Sequence, residues 1–229
     1  EQYDVDLHAY VLMPNAIQMV ATPNIANGIS SMMQSLGRRY VQYVNHRYQR
    51  SGTLWGGRYK SSVIDSEAYL LTCYRYVELK PMHEGIVESP ELYEWSSFNH
   101  HTGRKKSKIL QDHRLYLALG DSYEERANEY SKLFRYEFDR GLLTYIAETI
   151  KLGQVLGGSV VWGMGGPKGQ IHEEGFGLVL LDEVQRSERE IIGSVRRSRC
   201  TMSIVNLHTL QFVRFLSLHT PDPVETTID

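Results

Sequence analysis

The stretch VDLHAYVLMPNAIQMVA, residues 5–21, decides the fold. Val5, Leu7, Ala9, Val11 and Met13 alternate with Asp6, His8, Tyr10 and Leu12, which is the period of a strand. Pro14-Asn15 is a turn signal. Ile17, Met19 and Ala21 then alternate with Ala16, Gln18 and Val20, so the pair reads as a β-hairpin that Pro23-Asn24 stops. In such a hairpin His8 is expected at the surface.

Downstream the period changes. Ile29, Met32, Met33, Leu36, Tyr40, Tyr43 and Val44 form an apolar stripe at helical spacing, and Gly52 ends that segment. Residues 53–64 look extended, with Gly56-Gly57 as a candidate bulge. Asp65-Ser66 offers an N-cap for a second helix, which Pro81 is expected to end. Leu70, Tyr74 and Val77 are its core stripe, and Cys73 is expected to be a small buried hydrophobe. Residues 82–110 read as loop and short turns, with His100, His101 and His113 as loop histidines. Two more helices are expected near 122–135 and 139–152.

Charge is unevenly placed. The net charge is −2, yet no acidic residue occurs between Asp6 and Asp65. That span carries Arg38, Arg39, Arg47, Arg50, Arg58 and Lys60. An anionic partner is the natural reading. The interleaved aromatics Tyr40, Tyr43, Tyr48, Trp55 and Tyr59 suit the bases of single-stranded nucleic acid, although Tyr40 lies on the apolar stripe. The candidate DNA-contact set is Arg38, Arg39, His46, Arg47, Arg50, Arg58, Tyr59 and Lys60.

Composition excludes several classes. With 41% hydrophobic and 23% charged residues, the chain is neither collagen-like nor wholly disordered. No run of 18 apolar residues exists, so no membrane partner is expected. Cys73 and Cys200 show no CxxC spacing, which argues against a cysteine zinc site and leaves a reducing cytoplasm as the expected compartment. All fifteen tyrosines lie at or before Tyr145, and glycines cluster from Gly153 to Gly177, so composition breaks near residue 157. Gly163 to Gly169 lacks the GKS/T ending of a phosphate loop and reads as a flexible loop.

Four stretches together resemble the REP-associated tyrosine transposases of the HUH single-tyrosine superfamily. They are residues 5–15, the helix from Gln34 to Tyr48, Gly52-Thr53-Leu54-Trp55 with Gly57 to Ser62, and Tyr69 to Glu78 followed by Pro81 and Trp95-Ser96-Ser97. Leu115 to Gly120 and Glu124-Glu125-Arg126 resemble the family's C-terminal helical extension.

The resemblance implies an α+β fold: a ferredoxin-like antiparallel sheet with helices on one face, plus C-terminal helices. It divides the chain into a transposase-like domain over 1–100, a helical extension over 101–157, and an unassigned tail over 158–229. Segments 178–192 and 202–218 of that tail could form helices or strands.

In the family a helical tyrosine attacks a phosphodiester of single-stranded, hairpin-flanked DNA and leaves a 5′-phosphotyrosine. Mg²⁺ or Mn²⁺ polarises the phosphate, held by two histidines at i and i+2 of a strand and by an Asn or Gln four residues after the tyrosine. Residues i and i+2 of a strand share a face, as do i and i+4 of a helix, so one ion can meet all three.

Here the tyrosine position is Tyr76, and the three ligand positions are Ala16, Gln18 and Lys80. Ala16 has no donor atom, Gln18 offers one oxygen, and an ammonium at Lys80 repels a cation. The sequence therefore implies no bound metal and impaired cleavage. The alternatives are a non-catalytic single-stranded DNA-binding regulator and a decayed gene remnant. A monomer or a homodimer is expected.

Family members place a further strand and helix before the position of Val5, with that strand inside the sheet. Without it, an open sheet edge and low stability are expected.

Overall fold

The computed structural model describes residues 3–64, 67–157 and 178–184; of the last seven, and of Glu67 and Ala68, only the backbone is described. The N-cap expected at Asp65-Ser66, the loop at 163–169, the segment 202–218 and Cys200 lie outside these residues.

The hairpin forms as its alternation dictates. β1 (Val5–Leu12) and β2 (Ala16–Pro23) pair antiparallel. Met13 N–H donates to the Ala16 carbonyl at 2.8 Å, which closes the Pro14-Asn15 turn. One irregularity breaks the pattern. Leu7 pairs with Ala21 and Ala9 with Val20, so His8 is an extra residue on β1. A bulge of this kind moves the residues before it to the other face. Val5 and Leu7 accordingly pack with Tyr10 and Leu12, while Ala9, Val11 and Met13 lie on the opposite side.

α1 (Gly28–Arg47) buries Ile29, Met33, Leu36, Tyr40 and Val44 against the sheet face that carries Tyr10, Leu12, Ile17, Met19 and Ala21. Tyr43, expected on the same stripe, is exposed instead. β3 (Lys60–Ile64) is shorter than the extended run expected from residue 53, and Gly56-Gly57 precede it rather than bulging it. α2 (Glu67–His83) packs on the other face, where Leu70, Cys73, Tyr74 and Val77 join Ala9, Val11, Ala16 and Val20. Cys73 is fully buried, as expected. The helix runs two residues past the stop expected at Pro81, whose own carbonyl accepts the Ile86 N–H at 2.9 Å.

α3 (Phe98–His101), α4 (Arg114–Leu117), α5 (Tyr123–Lys132) and α6 (Arg140–Leu152) complete the α2 side. α5 starts on a capping box between Ser122 and Glu125. α6 ends on Gly153 at φ 65°, a left-handed stop that glycine takes at little cost. The α+β class holds, but the helices divide between both faces of the sheet instead of sharing one. The reason is that both parities of β1 and β2 are apolar, so each face needs cover.

β4 (Leu178–Val184) lies inside the sheet, giving the order β1-β2-β4-β3. It runs antiparallel to both neighbours. The open edge expected beside the hairpin is therefore filled, by a strand from the far end of the chain. The free side of β1 is also covered: Leu12 N–H donates to the Trp95 carbonyl, Ser97 N–H to the Tyr10 carbonyl and Gln111 N–H to the Leu7 carbonyl.

Candidate functional site

β2 and α2 bring the four motif positions to one side of the sheet. Ala16 and Val20 face α2, and Gln18 between them shares that face. Tyr76 belongs to the same core and is 5% exposed. One turn on, Lys80 Nζ lies 6.0 Å from the centre of the Tyr76 ring and 3.1 Å from Glu84 Oε1. Gln18 is 2% exposed, and its Oε1 has no hydrogen-bond partner among the described residues.

This donor set does not fit the divalent metal that the resemblance implies. Ala16 contributes a methyl group, Gln18 one neutral oxygen, and Lys80 a positive charge that would repel the ion. No step of the chemistry is routed through a metal here.

The expected DNA-contact residues fall into two places. Arg38, His46 and Arg47 are exposed on α1, with Arg39 half-buried. They lie over the sheet face opposite to α2, so the structure does not bring them to Tyr76. Arg50, Arg58 and Tyr59 follow in the connection to β3. Arg50 donates to the Thr53 carbonyl at 3.4 Å, and the Tyr59 hydroxyl meets Ser30 Oγ at 3.3 Å. Lys60 opens β3, in register with position 182 of β4, which is in register with Gln18. Register partners share a face, so Lys60 stands on the α2 side. The basic residues thus lie in three places: the outer surface of α1, the connection 48–59, and the start of β3 in the row that holds Gln18.

Several polar residues that sequence reasoning placed at the surface are buried instead. His8 is 3% exposed; its Nδ1 meets the Gln111 carbonyl at 2.7 Å and its Nε2 the Thr22 hydroxyl at 2.8 Å. Burial lowers its pKa from the usual histidine value. His100, His101 and His113 are buried too, with His113 capping α4 through Nδ1.

The largest polar hub is Glu78, fully buried two residues after Tyr76. Its carboxylate accepts from Ser97 Oγ at 2.5 Å, His101 Nδ1 at 2.6 Å and Tyr130 Oη at 2.7 Å. Burial, with Glu78 beside it, pushes the Tyr130 hydroxyl well above the ordinary tyrosine range. The His101 ring stacks on Tyr74 at 4.9 Å.

His100, His101 and Asp112 bring one ligand atom each within 4.8 Å of the others. Their hydrogen bonds argue for a structural pair. His100 Nδ1 accepts the Ser107 N–H at 3.0 Å, so the ring proton sits on Nε2 and is donated to Asp112 Oδ1 at 3.0 Å. A metal on that nitrogen would displace the proton and oppose the Ser107 donor. Desolvation pushes the Asp112 carboxyl up, but the His100 hydrogen bond and the electrostatic influence of His100, His101 and Arg126 together outweigh it and hold the carboxyl below the usual range. Sequence spacing gave no sign of this group, because Asp112 reaches His100 only through the turn after α3.

Residues 1–80 match the family model described as IS200-like transposase. The matched segment contains β1, β2, α1, β3 and α2 as far as Tyr76 and Lys80. This segment is therefore similar to the IS200-like transposases, a family whose expected partner is DNA. No match was found among curated proteins or solved structures. Among the described residues, no helix is long and apolar enough to cross a membrane.

Proposed function

We propose that this chain is a cytoplasmic transposase-like protein of the REP-associated tyrosine class that binds single-stranded hairpin DNA, and that cleavage through Tyr76 is impaired. The observation that carries this is the grouping of Ala16, Gln18, Tyr76 and Lys80 on one side of the sheet. The tyrosine position is kept, on the helix where the resemblance puts it, while Ala16, Gln18 and Lys80 at the three matching positions offer no ligand set for a cation. A neutral tyrosine is a weak nucleophile, and the phosphodiester it must attack repels anions. Without a metal, the Lys80 ammonium beside Tyr76 would have to offset that charge, and it is already paired with Glu84.

The second reading, a non-catalytic DNA-binding regulator, is favoured by one observation. The basic side chains of α1 stand on the sheet face opposite to Tyr76. Binding through them is separable from chemistry at the tyrosine.

A denaturing-gel assay with Mn²⁺ and end-labelled hairpin DNA tests the proposal. The parent chain, Tyr76→Phe and the triple variant Ala16→His/Gln18→His/Lys80→Asn are compared. The expected result is no covalent adduct from the parent and a tyrosine-dependent adduct from the triple variant. An adduct from the parent that Tyr76→Phe abolishes overturns the impairment.

A further inference from the structure

We infer that the gap between β2 and β3 is a strand-acceptor slot and that β4 is a donor strand, exchangeable between two copies of this chain. The argument rests on topology alone and stands apart from the DNA reading.

β4 is the last described element, yet it occupies an interior place in the sheet. On one side Ala16–Ala21 run against Val184–Val179, and on the other Lys60–Ile64 run against Asp182–Leu178. Interior strands are usually laid down with the sheet they complete. This one arrives after the six described helices. The elements before it already hold one another: α1 and α2 pack on the hairpin, and β3 is tied to α6 by Ser62 Oγ to the Thr149 carbonyl at 3.0 Å and by Leu156 N–H to the Val63 carbonyl at 2.8 Å. Removing β4 would leave two facing strand edges held apart by roughly two strand spacings of about 4.8 Å each. Such edges accept a strand through backbone hydrogen bonds, whichever chain supplies it.

Residues 158–177 join β4 to the rest, twenty residues of which seven are glycine. Fully extended, such a segment spans at most about 70 Å. That reach lets β4 enter its own slot or that of a neighbour. Exchange keeps every ladder bond, so the two arrangements differ mainly in concentration dependence. A tether of this length gives an effective concentration of the order of 1 mM, so the closed monomer dominates at micromolar chain and exchanged dimers gain as total chain approaches that value.

Val63 and Val179 are ladder partners, and Val63 is on the exposed side of β3. Two full-length chains of different tag size, one Val63→Cys and one Val179→Cys, both with Cys200→Ser, are refolded together and oxidised. The expected result is a disulfide heterodimer that grows with total concentration and exceeds the Val63→Cys homodimer band. Heterodimer no stronger than that background at any concentration overturns the exchange. Val63→Cys/Val179→Cys in one chain checks the slot itself: the expected product at low concentration is a monomer with an internal disulfide, and its absence in a cooperatively melting protein overturns the assignment of β4 as donor.

Discussion

Glu78 anchors the helix that carries Tyr76, and removing its carboxylate should be among the costliest single changes in this protein. The side chain has no exposed surface and receives three donors, from Ser97, His101 and Tyr130. Glu78→Ala leaves those donors in a site with no replacement acceptor. Each hydrogen bond to a charged group contributes about 1.5–3 kcal/mol, and stranding the partners of a buried charge costs about 3–5 kcal/mol in total. For a domain of this size that corresponds to a fall in Tm of about 6–20 °C. Glu78→Gln keeps one acceptor oxygen for Ser97 and His101, and its amide can donate to the Tyr130 oxygen after that hydroxyl turns. Its cost should be about half as large. Urea unfolding followed by far-UV circular dichroism gives both values. A Glu78→Ala change below about 1 kcal/mol would refute the view that the three donors depend on this carboxylate.

Other expectations follow from particular contacts. His8 has a lowered folded pKa, so the unfolded chain binds its proton first; stability present above about pH 6.5 should fall as the pH drops further, by at most about 1.4 kcal/mol per unit. Urea midpoints at pH 7.5 and 5.5 measure that drop, and His8→Gln should shrink it. Gly28→Ala should cost about 1–3 kcal/mol in the same unfolding assay, because an added Cβ would meet the Tyr3 carbonyl oxygen at 2.8 Å and Val5 Cγ2 at 3.0 Å. Arg38→Glu/Arg39→Glu should weaken single-stranded DNA binding at low salt and flatten its salt dependence in fluorescence anisotropy; unchanged affinity would remove α1 from the DNA-contact set.

The hairpin was legible because both strands alternate and Pro14-Asn15 separates them. The first two helices were legible from their apolar stripes, while the capping box at Ser122 was seen only in the fold. The bulge at His8 was not, since the alternation of residue types runs through it unbroken; only the pairing with β2 reveals the extra residue. For the same reason His8 read as a surface residue. Stripe periodicity says that α1 and α2 each have an apolar face, but not which side of the sheet each covers. That depends on how the connections cross. LVLLDEV at 178–184 is too short and too apolar to separate strand from helix by period, and its partners lie more than a hundred residues upstream. Glu78 read as part of a motif, while its three donors come from segments that only the folded chain assembles. Tyr76 and Lys80 stood out only through the resemblance; in the fold the Lys80 ammonium lies 6.0 Å from the Tyr76 ring centre.

The altered ligand positions also carry a stability argument, independent of any DNA assay. Ala16 is 9% exposed and packs in the core that contains Tyr76. Placing an imidazole there overfills the site, at a cost of about 1–3 kcal/mol. Gln18→His is nearer in size, and Lys80→Asn removes the repelling charge from a half-buried position. The triple variant should therefore melt below the parent in EDTA. If the three new side chains meet one ion, Mn²⁺ at a hundredfold its dissociation constant restores about 2.7 kcal/mol, because only the folded chain binds it. The parent should melt at the same temperature with and without Mn²⁺. A rise in the parent's Tm on adding Mn²⁺, abolished by Gln18→Ala, would show that the orphan Gln18 oxygen already belongs to a working metal site and would refute the central inference about this protein's chemistry.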